Sequence, residues 1–488
     1  MASALNPHRL LVSAAHKSSG KTTISVGLCA ALRERGLKVQ AFKKGPDYID
    51  PMWLTAASGR RCRNLDPYLA DDAEIRGTFR RHAAAADISI VEGNKGLYDG
   101  LALDGSNSNA ALAKVLGLPV ILVIDARGMT RGIAPLILGY QAFDRDVRIA
   151  GVILNNLGGS RHEAKLRLVL EHYTDVRVLG AVHCDPRLAI AERHLGLMPS
   201  NEADGAAQHV AAIGAIVGGQ VDLDGVLQAA ADVRPVAVPG DAVIDPVPAA
   251  APADVRIGVA QDRAFGFYYA DDLDALRAAG ATLVGFDTLT DTALPNVDGL
   301  FIGGGFPELF AAELEANAAL RMKIRHAIEA GLPVYAECGG LMYLARTLTR
   351  DGQSFKMVGA IPGDVVMHER PVGRGYVNLG ETAAFPWPAA PAGGPAVRAH
   401  EFHYSSLENL PADLQCAYTV KRGHGIDGRR DGIVVHNVLA SYAHLRSAGG
   451  NAWAARFVGF VRHADYHRSR KDNIVYLPPA RGREAMVT

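Results

Sequence analysis

The chain has 488 residues, 49% of them apolar and 21% charged, the balance of a soluble globular protein too long for one ordinary domain. Basic and acidic residues number 51 each, so no global field draws the chain to nucleic acid or to an anionic membrane. No 18-residue apolar span or secretory h-region is present, and the five cysteines (Cys29, Cys62, Cys184, Cys338, Cys416) form no C-x-x-C pair. That argues against a disulfide framework or zinc ribbon and sets the expectation of a cytoplasmic protein.

In chain order, "RLLVSAA" reads as a strand, "HKSSG" as a loop and "KTTISVGLCAALRERG" as an amphipathic helix ending at Gly36. "KVQAF", "ISIVEG", "PVILVIDA" and "IAGVILNN" are further apolar runs with helical patterns between them. Nearly continuous apolar strands alternating with helices predict a parallel sheet covered on both faces, here across 1–235. Residues 236–254 are rich in Pro, Ala and Gly without a period, as a linker is. The alternation restarts with "RIGVAQ", a helix "YADDLDALRAAG", "TLVGF" and "DGLFIGGG", then one long helical stretch "FAAELEANAALRMKIRHAIEAG" and the elbow "PVYAECGG". Beyond it, "GRGYVNLG", "VRAHEFHYSSL", "AYTVKRG" and "GIVVHNVLASYAHL" predict an antiparallel, strand-rich end to a second α/β domain at 255–465, followed by a basic extension at 466–488.

"AAHKSSGKTT" follows a strand and opens a helix, the setting in which a Walker-type loop is meaningful, although Ala15 stands where the first glycine belongs. Ser19, Gly20, Lys21, Thr22 and Thr23 then form an ATP phosphate site. Backbone N–H groups cradle phosphate, Lys21 reaches the β and γ oxygens, and the Thr22 hydroxyl ligates Mg2+. "AFKKGPDYIDP" and "VEGNKGLYDG" each follow a strand, so their loops are expected at the same sheet edge. Asp47, Asp50 and Glu92 supply hard oxygen ligands there, and Lys43 supplies positive charge for phosphoryl transfer.

In the elbow, Cys338 sits between an apolar strand and a helix, followed by two glycines that permit a sharp turn. A side chain so placed projects from the sheet tip beside backbone N–H groups, which suits a nucleophile next to an oxyanion site.

These motifs together resemble the cobyrinate a,c-diamide synthases. "SSGKTT", "FKKGPDYIDP", "VEGNKGLYDG", "AERHLGL", "FIGGGFPEL", "AECGGLMYL", "GRGYVNLG", "HEFHYSS" and "LASYAHL" carry the likeness over Leu11 to Arg446. The resemblance implies a P-loop parallel-sheet domain followed by a class I (triad-type) glutamine amidotransferase-like domain, with ATP and L-glutamine as co-substrates. It implies Cys338 as nucleophile and His444 as its base, with backbone N–H groups at Gly304, Gly305 and Gly339 holding the oxyanion. Thr22, Asp47 and Glu92 resemble the Mg2+ ligands, and Asp47, Tyr48, Ile49 and Asp50 match the loop that meets the tetrapyrrole. Ammonia from glutamine then displaces phosphate from an activated a or c acetate. No nucleic acid or membrane partner is implied, and a homodimer is one assembly the resemblance leaves open.

Several positions depart from the family pattern. Arg446 occupies the place, two residues after the base, where related amidotransferases carry a glutamate, so a Cys338–His444 dyad with an unidentified third partner is the expectation. Lys17, Lys44 and Lys95 are extra cations, each a surface lysine on the plainest account. Together they raise a second substrate class, a sirohydrochlorin-type ring such as nickel-sirohydrochlorin or siroheme. His436 reads as a strand residue that packs or hydrogen-bonds. A deviant-Walker ATPase switch and a cobyric acid synthase are the rivals; the first leaves Cys338 and the whole second domain without a role.

Overall fold

The computed structural model describes residues 8–193, 196–203, 205–233, 251–388 and 396–464. Most of the expected linker at 236–254, and all of the extension at 466–488, lie outside the described residues. The chain divides into two compact units, Met1–Ile244 and Asp245–Thr488.

In the first unit seven strands form one sheet: β1 (Arg9–Ala14), β2 (Val39–Lys44), β3 (Arg63–Leu65), β4 (Ile88–Glu92), β5 (Val120–Asp125), β6 (Ile149–Leu157) and β7 (Val178–His183). Their order is β3-β2-β4-β1-β5-β6-β7, and every neighbouring pair is parallel. β1 and β2 are buried along their whole length, which their apolar runs require of strands covered on both faces. Helices α1 (Lys21–Glu34) and α2 (Ile49–Ser58) follow β1 and β2 directly. Because β4 inserts between β1 and β2, the carboxyl ends of all three strands stand side by side. In register, Glu92 of β4 is level with Val12 of β1 and Lys43 of β2. A helix at Ala206–Gln220 crosses α1 closely, and a methyl on Gly214 would come within 2.7 Å of the Ala30 Cβ.

The second unit is built on a nine-stranded mixed sheet. Ala281–Phe286, Val255–Ala260, Gly299–Ile302, Val334–Glu337 and Val438–Ser441 lie parallel in that order. Arg430–Val435, Cys416–Arg422, Gly373–Glu381 and Val397–His403 continue it antiparallel. The last strand also reaches the segment after Ser441, where His444 N donates to His400 O (2.7 Å) and His400 N donates to His444 O (3.3 Å). Trp453 and Phe457 of the helix Trp453–His463 cover one face, with Tyr335 ringed by Phe301, Trp387 and Trp453.

The structure corrects four local expectations. The long helical stretch is two helices, Ala311–Ala316 and Ala318–Glu329, because Asn317 caps the second and its amide donates to Thr288 O (2.9 Å) and Asp291 O (2.8 Å). Local side-chain bonding of this kind outcompetes helix continuation. "GIVVHNVL" is a hairpin, with His436 exposed at its turn at φ 51° rather than inside a strand. "FIGGG" ends its strand at Ile302, and Gly304–Gly305 pairs antiparallel with a short strand Phe265–Phe267. Finally, Ser405–Glu408 leaves the large sheet for a separate four-stranded one.

Candidate functional site

Two clusters of chemistry stand out, one in each unit. In the first, the loop between β1 and α1 turns through Ser18 (φ 64°) and Gly20 (φ 87°), both left-handed. Gly20 is needed for space as well as torsion, since a Cβ there would collide with the Asn155 amide. That amide donates to Ser19 O (2.9 Å), and Ser19 Oγ donates to His16 O (2.8 Å). No side chain caps the first turn of α1, so its N–H groups are left for an anion. Lys21 is buried at this turn, and burial, then the neighbouring Lys43, hold its ammonium below the ordinary lysine value.

The strand ends supply the counter-charges. Lys43, 2% exposed, pairs with Asp50, with Glu92 Oε1 at 2.9 Å and with Asp47 Oδ2 at 3.8 Å. Burial disfavours its charge, but the three carboxylates outweigh that and keep its pKa well above the usual range. Thr22 Oγ1 donates to Glu92 Oε1 (2.7 Å) and to Asp50 Oδ2 (3.3 Å). Asp47 Oδ1 accepts from the N–H groups of Ile49 (3.0 Å) and Asp50 (3.1 Å), so it caps α2. Burial, then the Asp50 charge, push Asp47 up to about 7. At Asp50 burial is outweighed by Lys43, leaving that carboxyl below its ordinary value. Tyr48 and Ile49 are buried, as is Ser19, while Thr23 is partly exposed and donates to Leu188 O (3.4 Å).

The glycine-rich loop after β4 is pinned from within. The Asn109 amide donates to Ser13 Oγ (3.1 Å), Asn94 O (2.6 Å) and Gly96 O (2.9 Å), and its oxygen accepts from Asn94 N (3.1 Å). Gly96 lies so near the phosphate loop that a Cβ would stand 2.8 Å from Ala15 O. Of the three extra lysines, Lys17 and Lys95 are exposed. Lys44 is not a surface residue: it is 1% exposed, and its ammonium bonds Asn94 Oδ1 (3.1 Å), Asn107 O (2.5 Å) and Asn107 Oδ1 (3.2 Å). Burial brings its pKa down to about 8.

In the second unit the strand Val334–Glu337 ends at Cys338, which adopts φ 46°, ψ −100° and opens the helix Gly339–Leu344. Such a conformation costs a non-glycine residue about 1–3 kcal/mol and persists only when its surroundings over-determine it. Here Cys338 N donates to Ser441 O (2.7 Å), and a Cβ on Gly340 would strike the Ile302 carbonyl. A Cβ on Gly339 would sit 3.0 Å from Gly305 N, so the backbones of Gly304–Gly305 and of the elbow come together. The Cys338 thiol and the Glu337 carboxylate both act on His444, whose Nδ1 lies 3.4 Å from Glu337 Oε2. Burial alone would suppress the imidazolium, but Cys338 and Glu337 outweigh it and raise His444 to about 10. The structure thus brings thiol, imidazole and glycine backbone to one point, an arrangement suited to nucleophilic attack on an amide.

Two family models match successive parts of the chain: the CobQ/CobB/MinD/ParA nucleotide binding domain over residues 11–197, and the CobB/CobQ-like glutamine amidotransferase domain over 256–452. A cobyrinate a,c-diamide synthase of Magnetococcus marinus is 46% identical over 456 residues, 93% of this chain and 97% of that protein. Enzymes of the same name from Methanosarcina acetivorans and Archaeoglobus fulgidus are 44% and 42% identical, each across 92% of this chain. The chain belongs to the cobyrinate a,c-diamide synthase family.

Within that family frame, Arg446 is buried and turned to another task. It pairs with Asp271 (3.1 Å) and lies over the Tyr269 ring, tying the segment after His444 to the helix Ala270–Ala278. His403 is a buried structural residue, stacked on Tyr442 with 3.8 Å between centroids and bonded to Ser405 O (2.8 Å). The residue that sequence reasoning passed over is Glu337. Its place directly before the nucleophile was visible in "AECGG", but nothing in a linear motif shows that its side chain turns toward His444.

Proposed function

We propose that the protein catalyses ATP- and glutamine-dependent amidation of the a and c acetates of cobyrinate or hydrogenobyrinate, a step of cobalamin synthesis. The observation that carries this reading is the pairing, in a member of this family, of an uncapped phosphate loop with a Cys338–His444 elbow. We assign the amide-synthase domain to 1–235 and the amidotransferase domain to 255–465, joined by 236–254, and expect a cytoplasmic location. The described cysteines are all free, and no described helix is long and apolar enough to cross a membrane.

At the second unit, His444 takes the thiol proton of Cys338, and the sulfur attacks the side-chain amide carbon of glutamine. The S–C bond forms and the C–N bond breaks as His444 returns the proton to nitrogen, releasing ammonia. Water then hydrolyses the thioester to glutamate. N–H groups of Gly304, Gly305 and Gly339 are assigned to the oxyanion. At the first unit, a substrate carboxylate oxygen attacks the γ-phosphorus of ATP and ADP leaves. Ammonia attacks the acyl phosphate, phosphate departs, and a proton is lost. The N–H groups of α1, Ser19 to Thr23 and Lys21 hold the nucleotide phosphates, while Lys43 balances the charge of the transferring group. Asp47, Tyr48, Ile49 and Asp50 form the loop assigned to the macrocycle.

Among the described residues no group of three or more His, Cys, Asp or Glu side chains is arranged to hold a metal ion. Glu92 Oε2 is nevertheless buried without a hydrogen-bond partner, a free acceptor where Mg2+ needs only one or two protein oxygens beside phosphate and water. Thr22, Asp47 and Glu92 fit Mg2+, which when bound supplies neutralisation of phosphate charge.

Burial of Lys44 weakens the argument for a sirohydrochlorin-type ring, because one of its three supporting lysines is a structural cation. Incubating the protein with Mg-ATP and glutamine and offering cobyrinate, hydrogenobyrinate, sirohydrochlorin, its nickel complex and siroheme separates these readings by mass spectrometry. Two amidations on a corrin alone support the proposal. Amidation of a sirohydrochlorin-type ring alone overturns the substrate, and amidation of none overturns the reaction.

A further inference from the structure

The acid that related amidotransferases place two residues after the base is absent here, yet His444 is not left without one. Glu337 ends the central strand Val334–Glu337 and is 3% exposed. Its Oε1 is fixed by two donors, Leu445 N–H (2.8 Å) and Tyr335 O–H (2.5 Å). Oε2 is thereby aimed at His444 Nδ1, 3.4 Å away, a separation of the kind that tightens once substrate closes a site. We propose that Glu337 is the positioning residue of the hydrolytic site, its Oε2 accepting the His444 Nδ1–H so that Nε2 is left to take the Cys338 proton. The inference rests on the glutaminase reading above and adds the group that sets the tautomer of its base.

The logic is that of any carboxylate–imidazole–nucleophile set, recognised by geometry and role rather than by position in the chain. What differs is the route. The acid comes from the residue just before the nucleophile, so strand and elbow deliver both partners of His444 at once. The other groups facing His444 do not compete for the part. His400, bonded to it through backbone, has its ring centroid 6.4 Å away and is held neutral, since burial and then His444 depress it to about 3. Glu401 is engaged by the N–H groups of His424 (2.7 Å) and Gly425 (2.8 Å). Asp272 accepts from Ser447 N (2.7 Å), and Arg446 is paired with Asp271.

The test is Glu337→Gln in the full-length protein. A glutamine oxygen still serves Leu445 N–H and Tyr335 O–H, but its NH2 then faces Nδ1 and forces the proton onto Nε2. Glutaminase kcat should fall by ~10²- to 10⁴-fold. In Glu337→Asp, which keeps the charge, the rate should recover in part. The alkaline limb of the glutaminase pH profile, set by His444, should move to lower pH in Glu337→Gln, which a merely structural role would not cause. Thermal unfolding and circular dichroism of the full-length protein report folding of each variant, while ammonia-driven amidation, carried by residues of the other unit, reports that the amidation site is intact. If Glu337→Gln does not fold, the alkaline limb in Glu337→Asp decides the matter, an unshifted limb with full activity refuting the role. Wild-type glutaminase rates and an unmoved pH profile in Glu337→Gln overturn the inference alone. Absence of glutaminase activity in the wild type overturns the reading beneath it.

Discussion

Replacing Gly304 by alanine tests the hydrolytic geometry with a single methyl group. Gly304 is not in the left-handed region, so alanine brings no backbone strain. Its Cβ would stand 2.7 Å from His444 Cε1 and 3.3 Å from Phe267 Cβ. Carbon atoms rest at about 3.5–4.0 Å, so the imidazole has to withdraw by roughly 1 Å. A displacement of that size at a reacting group costs ~10²-fold in rate. Gly304→Ala should therefore lose about that much of the glutaminase kcat, measured as glutamate released from glutamine. Ammonia-driven amidation, measured on the same preparation, should stay at the wild-type value, since the other unit is untouched, while the crowding should cost the second unit about 1–3 kcal/mol in thermal unfolding. Wild-type glutaminase activity in Gly304→Ala would refute the placement of His444 as the base.

Lys43→Met removes the counter-cation of a buried carboxylate cluster, leaving Glu92 and Asp50 uncompensated. Breaking a buried pair from one side costs about 3–5 kcal/mol, to be read as a lower urea midpoint, with weaker ATP binding. Asp272 is held up at about 8, chiefly by burial against the opposing Ser447 N–H and Arg446. A carboxyl raised on folding keeps a proton that the unfolded chain loses near pH 4, so its contribution to stability falls as pH rises from about 4 to about 8. The slope approaches about 1.4 kcal/mol per pH unit, and Asp272→Asn should lose it in urea titrations at pH 5 and pH 8. An equal slope in variant and wild type would count against that account.

The parallel sheet of the first unit and the parallel half of the second were legible because an apolar run bounded by glycine and charge has few other uses. "RLLVSAAHKSSGKTT" and "PVYAECGG" put β1, the phosphate loop and the elbow where the structure has them. What could not be read depends on contacts distant in sequence. Lys44 looks like a surface residue until Asn94 and Asn107 close over it from a loop that follows β4. His436 carries the alternation of a strand, but its left-handed φ makes it a turn. Asn317 breaks a helix through the carbonyls of Thr288 and Asp291, which no helical period reveals. Glu337 is the functional instance of the same limit, since its meaning depends on a histidine more than a hundred residues later.

The central claim is that nitrogen leaves glutamine at Cys338 and arrives on a corrin acetate activated by ATP. Glutamine labelled with 15N in its amide, offered with cobyrinate and Mg-ATP, tests both ends of that transfer in one mass spectrum. The account predicts two labelled amides per ring in the wild type. In Cys338→Ser it predicts no transfer of label, with amidation restored by ammonium salt. Label reaching the ring in Cys338→Ser, or none reaching it in the wild type, would contradict the account.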